Sequence, residues 1–541
     1  MPNFISKPTE PNNEPIFGYL PGSSETTALK NQLSHFSSVE IEIPLVINGK
    51  EIRTGKLGTC SPPHNHRHKI ATYHNAGQEE IASAIQGALQ AQRDWARTPM
   101  EARQSIFLKA ADLLATKYRP ILNAATMLGQ SKTCHQAEID AACELVDFFR
   151  FNVSFQQQIY SIQPNSAPGL RNRLEYRHLE GFVFAVSPFN FTSIGGNLST
   201  APVLMGNVCV WKPASTSVYS NYFIMKLLEE AGLPPGVIQF VPGKGAEVGD
   251  VVMKHPEFSG LHFTGSTNTF QSMWKTIGNN ISAYRSYPRI VGETGGKDFV
   301  FAHASADVEA LTAALIRGAF EYQGQKCSAA SRAYIPKSLW PKLRERLVAE
   351  ISQITMGDVA EFRNFMSAVI DRKSFDNICG YIDHAKKSSE AELVIGGGAD
   401  SETGYFVEPT VIEAKSPNYR TMTEEIFGPV LTVFVYEDKQ FEETLLLCDK
   451  TSPYALTGSI FARERSAILA AQETLIHSAG NFYINNKPTG AVVGQQPFGG
   501  ARGSGTNDKA GSALNLIRWV SARTVSETFV PPTSFRYPWM E

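Results

Sequence analysis

No run in this sequence approaches the roughly 18 apolar residues that a membrane-spanning helix needs. Neither sign of charge is in excess. Lys plus Arg is 50 and Asp plus Glu is 52, a formal net charge of −2, which removes the basic footprint of a nucleic-acid or anionic-membrane binder. Cysteine is sparse: seven in 541 residues, odd in number, widely spaced and without a Cys-x-x-Cys pair. That argues against a disulfide framework and for a reducing compartment. The opening residues Met1–Glu10 carry two prolines and an acid but no apolar core, the composition of neither a secretory signal nor an Arg-rich transit peptide. The expected location is therefore cytoplasmic, with a processed form in the mitochondrial matrix as the alternative. Metal-ligand patterns are missing as well. Pro63-His64-Asn65-His66-Arg67-His68 has no carboxylate or Cys at a metal-binding spacing, so a surface loop and no metal are expected.

What is present is an ordinary globular composition, 42% hydrophobic and 19% charged, in a chain long enough for two to four domains. Residues 1–28 are polar and rich in Pro, Asn and Glu and read as an arm. Ile81, Ile85, Ala88, Leu89 and Trp95 recur at helical spacing before Pro99, and Ile106, Ala110, Leu113 and Leu114 do so before Pro120. From about 181 short apolar runs alternate with helices. Strands are expected at 182–186, 208–211, 237–241 and 261–263, with helices around 223–231, ending at Gly232, and around 248–253. Strict alternation predicts a parallel sheet with helices on both faces, which binds ligands at the carboxyl ends of its strands. A second α/β stretch runs from 297 to 500, with helices around 307–320 and 339–354. Residues 161–180 interrupt the first unit as an excursion, and the last thirty residues hold a candidate terminal strand.

Two segments carry chemistry. Glu321-Tyr322-Gln323-Gly324-Gln325-Lys326-Cys327-Ser328 sets one thiol in a Gly-bearing stretch, and Val291-Gly292-Glu293-Thr294-Gly295-Gly296-Lys297 sets a carboxylate in a Gly-rich turn. A thiol that attacks a carbonyl and a carboxylate that later activates water make a two-step acyl-transfer machine. Taken singly, Cys327 is a buried structural thiol and Glu293 a turn acid. Lys326, next to Cys327, is a candidate for drawing the thiol toward thiolate. Asn190, in Ser187-Pro188-Phe189-Asn190-Phe191, reads alone as a helix cap, Lys212 as a solvated strand-end lysine, and Ser266 as the cap of an ordinary strand-to-helix turn.

Together these segments resemble the aldehyde dehydrogenase superfamily, with its G-Q-x-C nucleophile and E-x-G-G-K base, across about residues 15–535. The resemblance implies an α/β fold of that type: a Rossmann-type parallel-sheet cofactor domain (1–160 and 181–296), an α/β catalytic domain (297–500), and a small oligomerisation flap with a C-terminal tail (161–180 and 501–541). It implies Cys327 as nucleophile, Glu293 as base, and Asn190 with the Cys327 N–H as oxyanion donors. It further implies Ser187, Phe189, Lys212, Ser215, Gly243, Gly265, Ser266, Glu425 and Phe427 around the cofactor. That cofactor is NAD, with NADP tolerated because Ser215 stands where many NAD-specific relatives carry Glu. Phe270 stands where most relatives have glycine. Longer matches, among them Phe148-Phe149-Arg150-Phe151-Asn152 and Gly494-Gln495-Gln496-Pro497-Phe498-Gly499-Gly500, resemble the branch that oxidises L-glutamate γ-semialdehyde to L-glutamate in proline catabolism. There Thr489-Gly490-Ala491 and Ser328 would anchor the substrate's carboxylate, and Phe191 and Phe498 would flank its aliphatic middle, although both also suit core packing. The branch implies a separate proline dehydrogenase upstream and a domain-swapped homodimer or higher homo-oligomer. The rival readings are another semialdehyde dehydrogenase and a thiol hydrolase or cofactor-free binding protein.

Overall fold

Apolar runs that need cover on both faces become the centres of two sheets. In the computed structural model, which describes residues 10–540, the strands Arg289–Glu293, Phe258–Thr264, Phe182–Val186, Cys209–Lys212 and Ile238–Phe240 lie side by side in that order, all parallel. Val183, Phe184, Val210, Trp211 and Phe240 in their interior are fully covered. The sheet continues into two strands that the sequence reading did not foresee. Leu45–Ile47 and Lys50–Ile52 add an antiparallel edge of seven strands in all.

The expected helices are present, most with longer bounds. Gln78–Trp95 and Met100–Ala115 precede the sheet, and Val218–Ala231 ends at Gly232 with φ +99°. Within the reading of 1–28 as an arm, residues 10–20 are irregular, but a helix begins at Ser24 and runs to Ser38, capped by the Ser23 hydroxyl on Thr26 N–H. The irregular part is tied down: Glu14 bridges Arg119 and Arg150, each at 2.6 Å.

The second sheet also has seven strands, in the order Ala391–Ile395, Thr410–Ala414, Val430–Tyr436, Ala330–Pro336, Asp298–Ala302, Thr457–Phe461 and Asn481–Ile484. Only its first pairing is antiparallel. Helices Val308–Phe320 and Trp340–Ile351 cover it, the second ending three residues before the expected 354. The excursion at 161–180 contains strand Leu170–Arg177, which pairs antiparallel with Ser521–Thr528 in a two-stranded ribbon largely open to solvent. The carboxyl edge of the first sheet faces the amino end of Ala330–Pro336, and the chemistry-bearing segments meet there.

Candidate active site

The loop that carries Cys327 begins where helix Val308–Phe320 stops. Tyr322, Gln323 and Gly324 have φ of +53°, +55° and +64°, three successive left-handed residues in a buried segment. For a non-glycine residue this conformation costs about 1–2 kcal/mol, so the surroundings must impose it. Gln323 Nε2 donates to the carbonyls of Ser131 (3.0 Å) and Ala368 (2.8 Å), and Gln325 Oε1 accepts the Ile370 N–H at 2.8 Å. The chain then turns back and presents Cys327 at the floor of a cleft.

Glu293 ends the strand Arg289–Glu293, and its Oε1 lies 3.7 Å from Cys327 Sγ. Burial raises the Glu293 carboxyl to about 7, in the range suited to a base at neutral pH. Burial also raises the Cys327 thiol well above its ordinary value, and the neighbouring Glu293, Asp298 and Glu425 carboxyls add to this. Lys326 does not help the thiol as expected. Its ammonium turns away to pair with Glu321 at 3.1 Å and is itself drawn down to about 8 by burial. Adjacent side chains in an irregular turn point in different directions, which sequence proximity conceals. Asn190 comes to the same floor. Its amide donates to the Gln325 carbonyl at 3.0 Å, and since an amide nitrogen carries two N–H groups, one remains for a substrate oxygen.

The cleft above the thiol encloses about 840 Å³. Ser187, Phe189, Lys212, Gly265, Ser266, Glu425 and Phe427 line it, as expected from the sequence, and so do Gly245 and Gly249. The Lys212 ammonium is buried, drawn down to about 8 by that burial, and donates to the Pro213 carbonyl at 2.9 Å. Ser266 caps helix Thr267–Asn279, its hydroxyl accepting the Thr269 N–H, and Ser266, Asn268 and Thr269 of this first turn line the cleft, where a helix N-terminus favours an anion. Glu425 accepts the Gly296 N–H at 2.9 Å; a Cβ on Gly295 would displace its carboxylate, and one on Gly296 would collide with the Cys327 carbonyl oxygen, a backbone contact that leaves room only for glycine. Phe189 and Phe427 meet edge to face at 5.8 Å. A buried ammonium, a capped helix N-terminus and a carboxylate in line suit the phosphates and riboses of a dinucleotide.

Two cofactor candidates lie off this wall. A Cβ on Gly243 would stand 2.8 Å from Val248 and 3.5 Å from the Ala76 backbone, so Gly243 is a packing contact beneath the cleft. Ser215 starts a short turn at the protein surface beside the Tyr73 phenol. Phe270 stacks on Phe263 at 5.4 Å and fills the space over Gly292.

On the far side of Cys327 the Ser328 hydroxyl meets the Thr489 hydroxyl at 2.8 Å. Gly490 has φ +93°, and Ala491 follows it in the same turn. Glu321 also pairs with Lys487 at 3.2 Å, which ties the Cys327 loop to this turn. Phe498 and Glu293 share a small cavity of about 50 Å³ with Glu144. The ring of Phe191 carries the Lys132 ammonium 4.0 Å above it. The histidine cluster is engaged elsewhere: His64 Nδ1 with Ser131 Oγ at 2.8 Å and His66 Nε2 with the Ser401 carbonyl at 3.0 Å.

The sequence reading passed over several buried polar groups here. Glu144 is raised to about 8 by burial and by Asp140, and Lys297, behind Glu425, is drawn down to about 7 by burial. Lys132 and Asp140 form a buried pair at 2.6 Å. Helical spacing in a polar stretch gives no sign of such burial.

Residues 53–525 match the aldehyde dehydrogenase family. The chain is 58% identical over 98% of its length to the mitochondrial Δ1-pyrroline-5-carboxylate dehydrogenase of Dictyostelium discoideum, covering 96% of that protein. It is 48% identical, over 98% of its length and 94% of the relative, to the mitochondrial enzyme of the same name from Homo sapiens. Its fold is similar to the crystal structure of the Δ-pyrroline-5-carboxylate dehydrogenase of Mycobacterium tuberculosis bound with NAD. The TM-score is 0.96 at 50% identity, with complete coverage of both chains.

Proposed function

The chain belongs to the aldehyde dehydrogenase family, and on that premise we propose that it oxidises L-glutamate γ-semialdehyde to L-glutamate with NAD. The semialdehyde is the open form of Δ1-pyrroline-5-carboxylate, and its oxidation is the second step of proline catabolism. The observation that carries this reading is a two-ended site. Cys327 lies 3.7 Å from Glu293 on one side, while the adjacent Ser328 reaches the Thr489 turn at 2.8 Å on the other. A substrate with an aldehyde at one end and an α-amino carboxylate at the other needs both ends held at a fixed separation.

The thiol of Cys327 gives its proton to water in the cleft and, as the thiolate, attacks the aldehyde carbon. The oxygen that gains charge is received by the Asn190 amide and the Cys327 N–H, donors fixed before the reaction begins. Bound NAD supplies the hydride acceptor. On the protein side, loss of hydride leaves a thioester on Cys327. Glu293 then takes a proton from water as that water attacks the thioester carbon, and the departing thiolate of Cys327 takes the proton back from Glu293. Lys212, Ser266 and Glu425 hold the cofactor, with Phe427 and Phe189 near its ring. Backbone N–H groups of Gly490 and Ala491, with the Ser328 hydroxyl, receive the substrate carboxylate. Phe191 and Phe498 flank its carbon chain.

The exposed Ser215 places no charge against a 2′-phosphate, so NADP is used weakly beside NAD. An isolated two-stranded ribbon is marginal in water, which supports a domain-swapped homodimer in which Leu170–Arg177 and Ser521–Thr528 rest on a second copy. Seven free cysteines fit a reducing compartment, and the word mitochondrial in the names of the Dictyostelium discoideum and Homo sapiens relatives supports the alternative of a processed mitochondrial form beside the cytoplasmic one. Among the described residues no helix is long and apolar enough to cross a membrane. A proline dehydrogenase reaction supplies the substrate.

The test is NADH formation with pyrroline-5-carboxylate and with a semialdehyde of similar length that lacks the α-amino carboxylate. We expect the first to be strongly preferred in kcat/KM. Equal values for the two would overturn the substrate assignment.

A further inference from the structure

Gln130, Ser131 and Lys132, at the carboxyl end of helix Arg119–Gln130, have no exposed surface although all three are polar. None lines the cofactor cleft, yet each grips a loop that carries catalytic groups. Gln130 Nε2 donates to the Phe189 carbonyl at 2.6 Å, and its Oε1 accepts the Thr192 hydroxyl at 3.1 Å. The Ser131 carbonyl accepts Gln323 Nε2 at 3.0 Å. The Lys132 ammonium lies between two rings, 4.0 Å from Phe191 and 4.6 Å from Tyr322. Phe191 follows the oxyanion donor, and Tyr322 is the first left-handed residue of the nucleophile loop.

Asp140 completes the arrangement. It pairs with Lys132 at 2.6 Å and accepts the Thr192 N–H (3.0 Å), the Ser193 N–H (2.9 Å) and the Ser193 hydroxyl (2.7 Å). Those N–H groups begin helix Thr192–Leu204, whose own N-cap position is Phe191, a residue whose side chain has no oxygen to offer. Asp140 therefore caps this helix from another segment, and Asn190 stands two residues before the capped turn. The Ser193 hydroxyl also meets Glu144 Oε2, at 2.9 Å. A buried ion pair is weak as a source of stability, because desolvation offsets most of the attraction. Its rigid geometry is what it can contribute.

We propose that the Lys132–Asp140 pair, with Gln130 and the Ser131 carbonyl, positions the Asn190 amide against the Cys327 N–H, so that both donors of the oxyanion hole keep a fixed separation. These are positioning residues, since none of them touches substrate. The proposal rests on the assignment of Asn190 as oxyanion donor and of Cys327 as nucleophile.

The test is a double-mutant cycle between Asp140→Asn and Asn190→Ala, read by single-turnover NADH formation and by NAD binding. Asn190→Ala alone removes one donor and slows the reaction about 10²–10³-fold. Asp140→Asn keeps one accepting oxygen but loses the charge. It should slow the reaction about 10–100-fold by misplacing the donor, with NAD affinity unchanged. In the Asn190→Ala background the same substitution should slow it less than about twofold, because the group it positions is gone. Equal slowing in both backgrounds, or no slowing in a folded Asp140→Asn protein, overturns the proposal. Should Asp140→Asn fail to fold because it strands the Lys132 charge, the neutral pair Lys132→Met/Asp140→Asn is taken through the same cycle with the same criteria. A wild-type rate for Asn190→Ala alone would instead refute the oxyanion assignment, and the proposal falls with it.

Discussion

Replacing Glu293 by Gln separates the two halves of the reaction. The change keeps the shape of the side chain and removes its ionisation. Glu293 is half-buried at the end of its strand, and desolvation there raises its carboxyl from the ordinary 4.5 to about 7. The ionised fraction in the wild type therefore falls about tenfold per pH unit below pH 7, and turnover limited by thioester hydrolysis should fall with it. In Glu293→Gln the first equivalent of NADH should still appear as a burst, while steady turnover drops about 10²–10⁴-fold and loses its limb near pH 7. The same shift has a consequence for stability. Below pH 4.5 the group is neutral both folded and unfolded, and contributes nothing. Between pH 4.5 and 7 the unfolded chain ionises while the folded one does not, which favours unfolding. Above pH 7 the penalty levels off at about 3 kcal/mol, from ~1.4 kcal/mol per pH unit. Glu293→Gln cannot ionise, so it should resist denaturant better than wild type at pH 8 and equally at pH 4. Stopped-flow absorbance and chemical denaturation at both pH values check the two arms. A burst lost together with turnover would place Glu293 earlier in the reaction. A limb that persists near pH 7 would assign it to another group shifted to about 7 by burial, Glu425 from below or Lys297 from above.

Cys327→Ala should abolish NADH formation while leaving NAD binding and the fold intact; residual turnover in a purified sample would identify another nucleophile. Ser215→Glu should cut NADP use relative to NAD about fivefold, since an exposed like-charge contact is worth about 1 kcal/mol, and an unchanged kcat/KM ratio would remove residue 215 from the 2′ position. Gly490→Ala strains a turn at φ +93° and sets a Cβ 3.2 Å from Lys487 Nζ. It should raise KM for the amino-acid semialdehyde about tenfold while sparing kcat/KM for a simple aldehyde, and a uniform loss on both would argue that the turn does not hold the carboxylate.

The central strand Phe182–Val186 was legible because it is buried on both faces and so reads as an unbroken apolar run, whereas Phe258–Thr264 showed only its part at 261–263, since Ser259 and Gly260 break the run before it. Helix Ser24–Ser38 was not, because Leu29, Leu33 and Phe36 are too few among Ser, Thr and Asn to outweigh the look of a polar arm. The edge strands Leu45–Ile47 and Lys50–Ile52 are three residues each, below the length at which alternation shows. Cys327 and Glu293 stood out by residue type and glycine context. The left-handed run at Tyr322 and Gln323 is invisible in sequence, since neither residue favours positive φ and the constraint comes from Ser131 and Ala368, far away in the chain. Lys132 and Asp140 were passed over for a related reason: a polar side chain in a helical region reads as solvated until packing reveals otherwise.

The ribbon has a consequence for the order in which the molecule is made. Arg177 and Ser521 are 344 positions apart, so a ribosome at ~5–20 residues per second delivers the second strand roughly 20–70 s after the first. Throughout that interval Leu170–Arg177 stands with an unpaired edge. The same late stretch closes on the base: the Ser504 carbonyl receives the Thr294 N–H at 2.9 Å, and the Thr506 hydroxyl receives the Gly292 N–H at 2.9 Å. A chain stopped before residue 500 can thus complete its first sheet and still lack both a fixed Glu293 and a paired edge. Such a product exposes a strand template for aggregation or degradation, and no truncated molecule carries a finished site.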